Sequence, residues 1–160
     1  MRLIEIDSRE KPKAITSILK YFDEHEIKYV TNKLLFGDYR DYNRPGIVVD
    51  RKHNIAELAM NCTREHDRFR RELERARDAG AQLIILVEQN RYEAMGERIK
   101  VERTVDLVRW SNRYTMVRGE KVFRVLAGWM REFNLDVVFC DKRHTGKKII
   151  ELIYGDGNEE

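Results

Sequence analysis

Residues 83–87, Leu-Ile-Ile-Leu-Val, form an unbroken apolar run, and such a run leaves no face of a strand for water. It predicts a fully buried strand over Gln82–Glu88, which needs cover on both sides. Just upstream, Phe69, Leu73 and Ala76 mark the buried face of a helix from about Thr63 to Ala79, closed by Gly80 as a C-terminal signal. Before that helix comes a β-branched run, Ile47-Val48-Val49, which suits a packed, pleated surface. Strand, helix and strand in this order favour a right-handed parallel connection. The chain therefore reads as α/β: one domain over residues 1–154, with a mixed central sheet flanked by helices on both faces. Residues 155–160 read as a polar, acidic tail that frays.

The Ile47 strand ends in charge. Side chains alternate along a strand, so Asp50 and Lys52 share one face and Arg51 takes the other. Asn43, Pro45 and Gly46 are turn residues, and Tyr39 to Tyr42 makes a preceding strand, which gives a β-hairpin. Gly37 lets Asp38 approach from the neighbouring strand without steric penalty. Two carboxylates converging with a lysine suit metal-assisted hydrolysis of a phosphodiester, because Mg²⁺ is held by one or two carboxylates plus substrate phosphate. Taken alone, Asp50 and Lys52 fit a surface hairpin with an ordinary ion pair better.

Elsewhere the pattern alternates between strands and helices. Leu3–Asp7 reads as a central strand, with Ser8 as a candidate cap and Pro12 in the first turn of a helix carrying Ile15, Ile18, Leu19 and Phe22. Asp7 and Glu10 fall at that strand-to-helix junction, where Glu10 alone would do no more than complement the helix N-terminus. Ile27–Thr31 is a short strand, and Ile55, Leu58 and Ala59 suggest a short helix. Val122, Val125, Leu126, Trp129 and Phe133 mark another helix, Asp136–Cys140 a strand, and Thr145 a cap for a last helix with Ile149, Ile150 and Ile153.

Arg64, Arg68, Arg71 and Arg75 recur at helical spacing and form one arginine stripe. Like charges so placed weaken a helix slightly, so either phosphate binding explains the stripe or Asp67, Glu72, Glu74 and Asp78 neutralise a solvated face. Arg109, Trp110, Arg113, Tyr114 and Arg118 interleave base and aromatic, as in a segment that touches DNA backbone or stacks on an unpaired base. Packing aromatics beside solvated arginines explain it equally, and for Trp110 packing is the preferred reading. Net charge is only +3, so the total says little about partners. Cys62 and Cys140 lack metal-ligand spacing and read as reduced thiols; His25, His53, His66 and His144 show no zinc pattern. The sequence shows no signal peptide or membrane span, which makes the cytoplasm the expected compartment.

Three motifs in order resemble the nuclease domain of the XPF-like endonucleases, within the PD-(D/E)XK nuclease superfamily: Asp7-Ser8-Arg9-Glu10, Gly37-Asp38-Tyr39 and Asp50-Arg51-Lys52. The likeness covers most of the chain and is densest from Leu3 to Glu88. Asp50 stands where the family usually has Glu, which shortens the arm toward a metal. The resemblance implies a restriction-endonuclease-like fold and a Mg²⁺- or Mn²⁺-dependent endonuclease acting on branched DNA such as forks, flaps or junctions. The implied catalytic set is Asp7, Glu10, Asp38, Asp50 and Lys52, with Asp38, Asp50 and Asp7 toward the metal and Lys52 positioning or activating water. Arg9, Arg64, Arg68, Arg71, Arg75 and Arg113 are the expected DNA contacts; Arg68 matches the family's helical arginine, and Glu72 replaces its frequent glutamine. Larger members add a tandem helix-hairpin-helix domain or a helicase, for which 160 residues leave no room, so a homodimer or a separate targeting protein is expected to help. The alternative from another class is a non-catalytic DNA-binding scaffold that keeps the fold.

Overall fold

A computed structural model describes residues 1–91 and 96–155. The predicted tail from residue 156 on lies outside the described residues. Six strands, β1 (Leu3–Asp7), β2 (Lys28–Asn32), β3 (Tyr39–Asp41), β4 (Ile47–Lys52), β5 (Gln82–Gln89) and β6 (Asp136–Asp141), form one sheet in the order β2-β1-β3-β4-β5-β6. The short β3 runs antiparallel to both β1 and β4, while β1–β2, β4–β5 and β5–β6 are parallel. The sheet is mixed, as the sequence predicts, and β5 is buried from Leu83 to Gln89.

Helices cover both faces. Helix α1 (Thr16–Glu24) and helix α5 (Thr145–Tyr154) pack on one side, where Ile4, Ile6, Tyr39, Val49 and Leu86 meet Ile18, Phe22 and Ile149. Helices α2 (Ile55–Cys62), α3 (His66–Asp78) and α4 (Gly119–Phe133) cover the other, where Val48, Ile85 and Val87 meet Leu58, Phe69, Leu73 and Trp129. Two cores separated by one sheet follow from the alternation of each strand. Among the described residues, no helix is long and apolar enough to cross a membrane. Both cysteines are free, and burial pushes the Cys62 thiol up to about 12 and Cys140 to about 11, as expected of inert core thiols.

The structure corrects three local expectations. Ser8 does not cap a helix: the Glu10 N–H donates to the Asp7 carbonyl, which makes Ser8 and Arg9 the centre of a turn. A 3-10 turn over Pro12–Ile15 then leads into α1, with Lys11 rather than Ser8 before it. Thr145 is the first residue of α5, not its cap, and its hydroxyl donates to Glu88 Oε2 at 2.6 Å. Helix α3 begins at His66, because Thr63 leaves helical geometry (φ −127°, ψ −93°) and returns its hydroxyl to the Ala59 carbonyl. Arg64 therefore sits in the turn before α3 instead of on its face.

Candidate active site

The register of β1, β3 and β4 pairs Ile6 with Tyr39 and Tyr39 with Val49. One residue further along, the same register sets Asp7, Asp38 and Asp50 in a row across three neighbouring strands. The backbone confirms that continuation, since the Asp7 N–H donates to the Asp38 carbonyl and the Asp38 N–H to the Val49 carbonyl, both at 2.8 Å. Three carboxylates on one row, all on the α2–α3 face, are a costly arrangement that packing alone would not favour.

Asp38 and Asp50 are the tightest pair. Burial is the main cause that holds the Asp38 carboxyl well above the usual range, followed by the charges of Asp50 and Glu10 and a hydrogen bond shared with Asp50. The Arg51 N–H, donating to Asp38 Oδ2 at 2.8 Å, works in the opposite sense. Asp50 is buried, and its Oδ2 has no hydrogen-bond partner among the described residues. Lys52 Nζ lies 3.0 Å from that oxygen, close enough to compensate its charge but not aligned to donate a hydrogen bond. Burial opposes the Lys52 charge, yet Asp50 and Asp38 outweigh it and raise the ammonium above its ordinary value. Lys52 is thus held in its charged form, which suits a charge or donor better than a proton acceptor.

Gly37 makes the approach of Asp38 possible. Its φ is +71°, and a Cβ there would fall 2.2 Å from Val48 Cγ1. Its N–H donates to Glu72 Oε2 at 2.8 Å, which brings a helix α3 carboxylate to the edge of the pair. Burial first, then Asp50, raises the Glu72 carboxyl. The sequence left the role of Glu72 open; here it anchors the turn that carries Asp38.

Asp7 sits on the same row but is already engaged. Arg9 Nε holds its Oδ2 at 2.7 Å, and the Leu34 N–H donates to its Oδ1 at 2.9 Å. Glu10 lies toward the other side of the sheet, where its Oε2 accepts from Arg51 Nε at 2.7 Å and from the Tyr39 hydroxyl at 2.6 Å. Arg51, with a side chain only 1% exposed, also donates to Glu88 Oε1 at 2.8 Å. Sequence reading missed this Glu10–Arg51–Glu88–Thr145 chain. The available signal was a charged Arg51 turned toward a core face, which obliges a buried acid to meet it.

The arginines expected to touch DNA lie on the exposed surface. Arg68 pairs with Glu65, Arg75 Nε donates to the Leu35 carbonyl at 3.1 Å, and Arg71 makes no ion pair among the described residues. Of the acids expected to neutralise the stripe, Asp67 meets His66, Glu74 meets Arg70 and Asp78 meets Arg77, while Glu72 accepts from the Gly37 N–H and lies close enough to Arg75 to feel its charge. Arg113 is exposed beside the Tyr114 ring, whereas Trp110 is 2% exposed with its indole N–H on Glu97 Oε2 at 2.9 Å. Trp110 packs, as preferred from sequence.

Among the described residues, no three His, Cys, Asp or Glu side chains converge to hold a metal by themselves. The Asp38–Asp50 pair, with the orphaned Asp50 Oδ2 between buried acids, nevertheless suits a hard cation that takes its remaining oxygens from phosphate and water. Asp38 and Asp50 would hold it.

No curated protein matches the chain. Among solved structures it is similar to XPF from Aeropyrum pernix, at 18% identity and a TM-score of 0.65, covering 94% of this chain and 62% of that one. A second structure, of XPF from Aeropyrum pernix in complex with DNA, gives 18% identity and a TM-score of 0.65, with 95% of this chain and 63% of that one covered. The chain thus spans less than two thirds of the length of these structures, and the likeness shows the XPF nuclease fold. The family model for the ERCC4 domain matches residues 6–152, nearly the whole length, and the chain belongs to the ERCC4 domain family.

Proposed function

We propose that this protein is a divalent-metal-dependent endonuclease that hydrolyses phosphodiester bonds in branched DNA. The observation that carries the reading is the Asp7–Asp38–Asp50 row with Lys52 Nζ 3.0 Å from Asp50. Burial and the charge of Asp50 raise the Asp38 carboxyl at a cost in stability, and such groups cluster where chemistry uses them. A Mg²⁺ or Mn²⁺ ion held by Asp38 and Asp50 would supply Lewis acidity toward the scissile phosphate.

The chain's own residues do the rest. The Arg51 N–H fixes one oxygen of Asp38 and leaves the other for the ion. Lys52, kept charged by Asp50, orients the attacking water and offsets charge that develops on the phosphate. Asp7 shapes the site indirectly: its carboxylate clamps Arg9 and the Leu34 N–H, so Arg9 presents its remaining donors at the rim. Arg68, Arg71 and Arg75 on α3 offer an exposed phosphate track, in which Arg71 makes no ion pair among the described residues. Membership of the ERCC4 domain family and the fold shared with XPF support this reading. A homodimer or a targeting protein would supply the remaining DNA contacts.

The test is cleavage of labelled fork, flap, four-way junction and linear duplex in Mg²⁺, Mn²⁺ and EDTA. Metal-dependent cuts with forks, flaps or junctions preferred over linear duplex are expected. DNA binding with no cut in either metal would move the protein to the scaffold class.

A further inference from the structure

The segment between β5 and α4 encloses a half-open cavity of about 680 Å³ that the catalytic reading does not use. Three arginines, Arg98, Arg109 and Arg118, line it, and all three are exposed. Ile99, Val108 and Met116 contribute apolar surface, with Met116 98% exposed. Among the described residues Glu120 is the one acid on the lining, and Arg109 reaches Asp106 at 3.6 Å. Arg98 and Arg118 make no ion pair among the described residues.

The cavity is built into the fold. The Gln89 side chain clamps Val101 by donating to its carbonyl and accepting its N–H, which ties the segment to the end of β5. At the far end, Gly119 packs so tightly that a Cβ would fall 1.9 Å from the Leu107 carbonyl oxygen, which presses the 3-10 turn Thr104–Arg109 against α4. Gln89 also lies two residues beyond Val87, the register partner of Lys52. The cavity therefore belongs to the segment that leaves the catalytic end of the sheet.

We propose that this cavity binds single-stranded DNA, and so holds the unpaired arm of a branched substrate; this rests on the nuclease reading above. Arginines on the lining suit phosphates, and apolar surface between them suits the faces of bases. A duplex keeps those faces stacked against each other and cannot offer them. The volume is that of a small-ligand site, which matches a nucleotide unit rather than a duplex.

The experiment is fluorescence anisotropy of a labelled oligothymidylate in EDTA, so its outcome does not depend on whether the protein cuts. Arg98→Ala/Arg118→Ala should weaken binding about tenfold and lower the salt slope by about 1.4, from two lost phosphate contacts. Met116→Ser, at a position too exposed to affect folding, should weaken binding at every salt concentration without changing the slope. The control is Arg44→Ala/Arg131→Ala, which removes equal charge from the β3–β4 turn and the last turn of α4. Equal weakening in the control, an unchanged affinity in the cavity variants, or equal loss for a blunt duplex would overturn the proposal. If the protein binds as expected here but never cuts, the nuclease reading fails while the strand site stands.

Discussion

Asp50, Arg51 and Lys52 are consecutive, yet the pleat of β4 sends them to two different environments. Asp50 and Lys52 meet across 3.0 Å on the α2–α3 face, while Arg51 is locked between Glu10 and Glu88 on the other. The backbone of the same Arg51 donates to Asp38, so its side chain fixes from behind what its N–H orients in front. Asp38 carries the clearest consequence for stability. Its folded-state pKa is raised, so its contribution is complete below the unfolded carboxylate value and is lost as pH rises through the folded value. Glu72 shifts in the same direction and adds to the effect. In EDTA, thermal stability should therefore fall as pH rises above the ordinary carboxylate range. Asp38→Asn, which keeps an acceptor for the Arg51 N–H, should flatten that fall. Thermal melts across pH check this, and superimposable pH profiles for the two proteins would contradict it.

At the scale of elements, the ion chain ties β4, β5 and α5 into one unit. Arg51 Nη1 donates to Glu88 Oε1, and Thr145 Oγ1, 57 positions further along, donates to Glu88 Oε2. Glu88→Ala leaves Arg51 paired with Glu10 and takes the acceptor from two donors, Arg51 Nη1 and Thr145 Oγ1, each bond to a charged group being worth about 1.5–3 kcal/mol. The two lost bonds together cost about 3–6 kcal/mol, so Glu88→Ala should lower Tm by roughly 6–24 °C, at about 2–4 °C per kcal/mol for a domain of this size. Thr145→Val, which removes one hydrogen bond to a charged group, should cost less, about 1.5–3 kcal/mol. Denaturant melts measure both, and a larger loss in Thr145→Val than in Glu88→Ala would reverse the assigned order.

How far the sequence carries can be seen in these same elements. The strands were legible because their pattern is local: an apolar run for β5 and alternation ending in charge for β4. The row of acids was legible as residue types but not as a row, which depends on the register between β1, β3 and β4. The Glu88 contacts were not legible, because its partners lie 37 and 57 positions away. The start of α3 was misplaced, since Thr63 satisfies its hydroxyl on the preceding helix, a choice no periodicity records. Arg98 drew no attention in the sequence because its significance comes only from meeting Arg109 and Arg118 across a cavity.

For the whole molecule, two cores hold a single sheet, one end of which combines carboxylates, a buried lysine and exposed arginines. The central claim is that Asp50 and Lys52 perform chemistry and are not a structural ion pair. Single-turnover cleavage of a DNA fork in Mg²⁺ by the wild-type protein, Asp50→Asn and Lys52→Met tests it most directly, with circular dichroism confirming that each variant is folded. The account predicts that both folded variants bind the fork and lose at least about a hundredfold in rate, as when a group that stabilises transition-state charge is removed. A folded variant that cuts at the wild-type rate would contradict it and return the pair to a role in packing.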